Sequence, residues 1–154
     1  MALKADRIHI DSRIDYFMNQ TAERGGVVCV KTAGSGAAMD QSNQAVEYAS
    51  NPSGAQPVGV LMCDVVDLDL TRQHMNWHKE EVQKGGKVTV WTKCQVTTDY
   101  LASGITVSAG DTAYLGEHGR YTNVDTLAGG KVGTFDSIKN QEGFAKISVN
   151  LPRS

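Results

Sequence analysis

The stretch A-K-I-S-V-N-L alternates without a fault: Ala145, Ile147, Val149 and Leu151 are apolar, and Lys146, Ser148 and Asn150 between them are polar. A period of two is the repeat of a β-strand, whose successive side chains point to opposite faces, so this stretch fits a sheet with one packed side and one wet side. A slip of one residue would turn the whole apolar set toward water, and the register is therefore well specified. K-V-T-V-W-T-K-C-Q-V-T-T repeats the pattern, with Val88, Val90, Thr92, Cys94 and Val96 on one parity and Lys87, Lys93 and Gln95 on the other. Strands are expected near residues 26–32, 45–49, 58–67, 87–98, 111–115, 131–136 and 144–151. Glycine-bearing breakers bound them, such as A-G-S-G-A-A, Q-K-G-G, L-A-S-G and L-A-G-G. Repeated short runs with this punctuation describe an all-β chain, a small barrel or sandwich of short antiparallel strands.

Residues 1–24 differ from the rest. Ile8, Ile10, Ile14, Tyr16, Phe17 and Met18 interleave with Asp6, Arg7, Asp11, Arg13 and Asp15 before the first Gly-Gly. The segment reads either as an extended N-terminal arm that orders on a partner or as a strand or helix packed on its own core. We divide the chain into an arm, 1–24, and a β-rich domain, 25–154, and take Ile8, Ile14, Tyr16 and Phe17 as apolar anchors of the arm. Within G-D-T-A-Y-L-G-E-H-G-R-Y-T a hairpin is expected around residues 116–119, and Gly133 is placed to permit a bulge or a close backbone approach.

A chain of 154 residues with 40% hydrophobic content is the size of one compact domain. Its formal charge of −2, with Lys and Arg scattered, leaves no footprint for nucleic acid. No stretch approaches the roughly 20 apolar residues of a membrane helix, and the charged N-terminus offers no signal-peptide core, so synthesis in the cytoplasm is expected. Cys29, Cys63 and Cys94 share the parity of apolar neighbours and read as small core residues.

T-R-Q-H-M-N-W-H-K-E-E sets His74 and His78 four apart with Trp77 between them. On a helix the two imidazoles would share a face, as two zinc ligands do. The residue after the first histidine is Met75, where zincin chemistry needs a glutamate, so the motif lacks its general base. His74, Trp77 and His78 are taken instead as an interface patch, since amphipathic rings are enriched at contact sites. The spacing of Asp64, Asp67 and Asp69 is not that of a calcium loop. A-G-S-G-A-A-M has Met39 where a dinucleotide fingerprint has its third glycine, and Ser35 lies in no G-x-S-x-G elbow. No catalytic residue, metal or cofactor is assigned.

The segments P-V-G-V-L-M-C-D-V-V-D, G-G-K-V-T-V-W-T-K-C-Q-V-T-T, A-G-D-T-A-Y-L-G-E-H-G-R-Y-T, G-K-V-G-T-F and E-G-F-A-K-I-S-V-N-L resemble the head decoration, or capsid cement, proteins of tailed bacteriophages, in order over residues 25–151. The resemblance implies a structural protein on the outside of the virion that binds the expanded capsid and clamps neighbouring major capsid protein subunits. It also implies a homo-oligomer, with a trimer favoured, and supplies no catalytic residue. Two rivals are a carbohydrate-binding β module on the virion surface, which would use exposed Trp and Tyr, and a small metal-dependent hydrolase, which would use the histidine pair.

Overall fold

A computed structural model describes residues 11–18, 20–30, 45–67, 81–125 and 130–151. These residues form strands β1 (Asp11–Met18), β2 (Val27–Val30), β3 (Ala45–Glu47), β4 (Pro57–Leu61), β5 (Asp64–Val66), β6 (Glu81–Gln83), β7 (Lys87–Thr98), β8 (Thr112–Leu115), β9 (Tyr121–Thr122), β10 (Lys131–Phe135) and β11 (Ala145–Asn150). Nine of them make one sheet in the order β1-β3-β2-β4-β7-β11-β10-β8-β9, and β1 also pairs with β7. That extra pairing closes β1, β3, β2, β4 and β7 into a five-stranded barrel, with the other strands outside it. The all-β expectation holds.

β7 is the spine. Its twelve residues alternate so that Val88, Val90, Thr92, Cys94, Val96 and Thr98 are all buried. Val88 and Val90 join Met18, Val28, Val46 and Leu61 in the core of the barrel. Cys94 and Val96 join a second core, with Leu115, Tyr121, Phe135 and Ile147 among its members. One parity of one strand thus serves two cores in succession. β2 and β4 connect the cores in the other direction: Val28 and Leu61 pack with the first, Val27 and Val60 with the second.

The strands outside the barrel, β11, β10, β8 and β9, continue the same sheet from β7. β11 pairs with β7 from Ala145↔Thr98 to Asn150↔Lys93, β10 pairs with β11 and β8, and β8 pairs with β9. On the far side of β9, Tyr121 donates its N–H to the Tyr100 carbonyl at 3.1 Å and accepts from Ala102 N–H at 2.8 Å. The chain just beyond β7 therefore returns to the last strand of the sheet that β7 began.

β1 and β11 lie end to end along one edge of β7. β4 and β1 both meet Trp91, so they flank β7 on opposite edges. Met62 on the β4 side donates to the Thr89 carbonyl, while Leu151 donates to the Thr92 carbonyl. Carbonyls of opposite parity point to opposite edges of a strand, which puts β11 on the β1 edge. The two strands meet at Lys93, which pairs with Asp11 and with Asn150.

Several features depart from the sequence reading. Asp11–Met18, grouped above with the arm, is a stave of the barrel in this structure, and Met18 is fully buried. The run expected over residues 58–67 breaks at Met62 and Cys63, because after Met62 the chain turns from β7 to a bridge between Val65 and Ala22 and a parallel pairing of β5 with β6. Cys63 falls in that break and is half-buried, unlike Cys29 and Cys94. β1 and β3 are also parallel, so the strands are not all antiparallel. The hairpin forms as expected: β8 and β9 pair from Tyr114↔Thr122 to Leu115↔Tyr121 around a 3₁₀ turn, Glu117–Gly119. Gly133 fulfils its expected role. The β8–β10 register shifts between Lys131 and Gly133, and a Cβ built on Gly133 would lie 1.9 Å from the Ser148 carbonyl oxygen.

Candidate functional site

The residues taken from sequence as contact candidates are not brought together among the described residues. Ile8, His74, Trp77 and His78 lie outside them. Ile14 lies on β1. Tyr16 is half-buried and packs against the barrel core, while Phe17, also half-buried, sits beneath the Lys87 Nζ, 5.9 Å from the ring centroid. Their rings therefore lend part of their surface to this chain's own barrel. In sequence, His74, Trp77 and His78 fall between β5 and β6, which pair in parallel.

A polar centre that sequence reasoning missed lies where the barrel meets the strands outside it. Tyr48, just past β3, is 6% exposed. Its hydroxyl accepts the Gly26 N–H at 3.1 Å and donates to the Glu23 carbonyl, so one phenol fastens the connection between β1 and β2. Burial pushes the Tyr48 phenol well above its ordinary range, with the Gly26 bond opposing, so it stays a neutral donor. Its ring tilts against Tyr100 at 5.4 Å, and the Arg120 guanidinium lies 5.6 Å from the Tyr100 centroid. Burial also raises the Tyr100 phenol, and Arg120 counters part of that rise.

Arg120 leads to the turn after β8. His118 adopts φ 55°, a left-handed conformation that non-glycine residues visit rarely, and its N–H donates to the Ala49 carbonyl at 2.8 Å. Ala102, Ser103, Glu117, His118 and Arg120 line a shallow cleft beside this turn. It offers a carboxylate, an imidazole, a hydroxyl and a guanidinium, all on exposed residues. Such a surface can hydrogen-bond a partner. A water-excluded site for electrostatic catalysis requires burial that these groups lack.

The cysteines are placed for packing. Cys29 and Cys94 are buried, and burial pushes the Cys94 thiol up to about 12, the opposite of an activated nucleophile. Burial also raises the Cys63 thiol, with its Thr89 backbone hydrogen bond opposing. Among the described residues, no group of three or more His, Cys, Asp or Glu side chains is placed to hold a metal ion. No helix of the described residues is long and apolar enough to cross a membrane. No protein-family model matches the chain, and no curated protein matches it either.

Proposed function

We propose that this protein is a head decoration protein of a tailed bacteriophage, which binds the exterior of the expanded capsid and holds adjacent major capsid protein subunits together. The observation that carries this reading is the ordered set of segments between Pro57 and Leu151 that resembles such proteins; they correspond to β4 and β5, β7, the β8–β9 hairpin, β10 and β11. The function is mechanical. A clip of this kind buries surface on both sides of a joint, so parting the subunits also requires breaking its contacts. A protein that binds the expanded shell and not its precursor stabilises the expanded state by mass action.

The architecture suits that task. β7 runs through both cores, the barrel closes through the β1–β7 pairing, and Tyr121 of β9 is hydrogen-bonded to Tyr100 and Ala102 just past β7. A load entering β7 between Lys87 and Trp91 is shared by β1 on one edge and β4 on the other, and beyond Lys93 it passes to β11. A homotrimer would add avidity, since linked footprints raise effective affinity without new chemistry.

The test is to mix purified protein with undecorated expanded heads and image the particles by electron microscopy. Symmetrically arranged extra density on the outer surface is the expected result. Bare heads at saturating protein would reject the proposal.

A further inference from the structure

Two turns form the walls of the cleft beside β9, and the fold fixes both of them. On one side the Ala102 N–H donates to the Tyr121 carbonyl at 2.8 Å, which holds Ala102 and Ser103 against the strand. On the other, the Gly116 N–H donates to the Arg120 carbonyl at 2.7 Å and the His118 N–H donates to the Ala49 carbonyl at 2.8 Å. Arg120 is held further by its side chain: the guanidinium lies over the Tyr100 ring and donates a hydrogen bond to the Tyr100 hydroxyl. The space between the turns measures about 470 Å³, inside the range of roughly 300–1,000 Å³ found for small-ligand sites. The strained residue of the fold stands in this wall. His118 keeps φ 55° where a glycine would sit without strain, and residues held in that region cluster at ligand clamps. Among the described residues, no hydrogen bond or ion pair engages the Glu117 carboxylate, the His118 imidazole or the Ser103 hydroxyl. Fixed walls thus present unused donors and acceptors to one space.

We infer that this cleft binds a neutral polyhydroxylated ring, the terminal sugar of a glycan. Charge selects the class. Glu117 repels an anionic ligand and Arg120 repels a cationic one, whereas a hydroxyl both donates and accepts at one atom. Neighbouring hydroxyls on a ring can donate to the carboxylate, or accept from two N–H groups of the guanidinium. Ala102, the apolar member of the described lining, gives the C–H face of the ring a place to rest. Ser103, Glu117, His118 and Arg120 are all exposed, so the cleft is open on one side. The ring therefore enters end-on and the rest of the glycan stays outside. An open site of this kind binds one sugar weakly, and linked copies of the protein would add avidity. Nothing in this inference depends on the decoration reading.

The full-length, isotope-labelled protein would be titrated with the methyl glycosides of glucose, galactose, mannose and N-acetylglucosamine, and separately with acetate, glycine and glycerol, while amide shifts are followed by NMR. Saturable shifts at Ser103, Glu117, His118 and Arg120 are expected with at least one glycoside in the millimolar range, and with none of the other probes. Glu117→Ala and Arg120→Ala should each weaken that binding roughly tenfold or more, with a thermal melt showing that each variant is folded. His118→Gly should weaken it too while leaving the melting temperature nearly unchanged, because relief of the positive φ offsets the freer unfolded chain. Saturation by acetate, glycine or glycerol in place of the glycosides, or by none of the probes, overturns the inference. So does full-strength glycoside binding by both Glu117→Ala and Arg120→Ala.

Discussion

Replacing Gly133 by alanine sets general propensity against local geometry. In an ordinary strand interior, glycine to alanine gains about 0.5–1 kcal/mol through reduced backbone freedom in the unfolded chain. Here the added Cβ would meet the Ser148 carbonyl oxygen at 1.9 Å, its carbon at 2.9 Å and Val149 Cα at 3.0 Å. Comfortable carbon–oxygen contacts begin near about 3.3 Å, so the backbones of β10 and β11 must part by more than about 1 Å. The displaced atoms are backbone, and no rotamer change relieves them. Overpacking of this kind costs about 1–3 kcal/mol, and each ladder hydrogen bond stretched beyond use adds about 1 kcal/mol. The net expectation for Gly133→Ala is a loss of roughly 2–4 kcal/mol. For a chain of this length that lowers the melting temperature by roughly 5–15 °C. Thermal unfolding followed by far-UV circular dichroism, with urea melts alongside, measures it. A variant that melts at or above the wild-type temperature would refute the close approach of β10 to β11.

Tyr48→Phe should destabilise the fold by about 1–3 kcal/mol, because it leaves the buried Gly26 N–H without its acceptor; an unchanged urea midpoint would contradict that role. Tyr121→Phe should be neutral or stabilising by up to about 1–3 kcal/mol, because the buried Tyr121 hydroxyl has no hydrogen-bond partner among the described residues, and a clear loss would show that the oxygen is satisfied. Under limiting alkylation near neutral pH, mass spectrometry should find Cys63 modified first, with Cys29 and Cys94 protected by burial; modification of Cys94 ahead of Cys63 would overturn the placement of β7. The native state retains the Cys94 proton that an unfolded chain releases above the thiol's ordinary value of 9.0, so the corresponding stability is complete below that pH and is lost as pH rises toward about 12. Cys94→Ala should therefore flatten the alkaline fall of the melting temperature, and an identical slope would exclude the thiol as a contributor.

β7 and β11 were legible because each keeps one parity apolar over its whole length, and a half-buried strand permits little else. β1 was less legible for a local reason. Ile14, Tyr16 and Met18 do alternate with Arg13 and Asp15, but Phe17 falls on the polar parity, where it packs beneath Lys87 and obscures the period. β6 and β9, three and two residues long, are too short to show any period. The Tyr48 centre was not readable at all, since its bonds reach back 22 and 25 residues and no spacing in the sequence signals them. Gly133 was readable as a position needing room, although the neighbour that demands it, Ser148, belongs to a strand the sequence could not pair with it.

The return of Tyr100–Ala102 to β9, together with the β1–β7 pairing, gives a hydrogen-bonding partner on each edge of β9 and of β1, the two strands at the ends of the nine-stranded order. Rows of unused donors and acceptors are the templates on which other chains polymerise into cross-β fibrils. With both end strands of the order covered in this way, that template is withdrawn at the two places where a sheet ordinarily offers it.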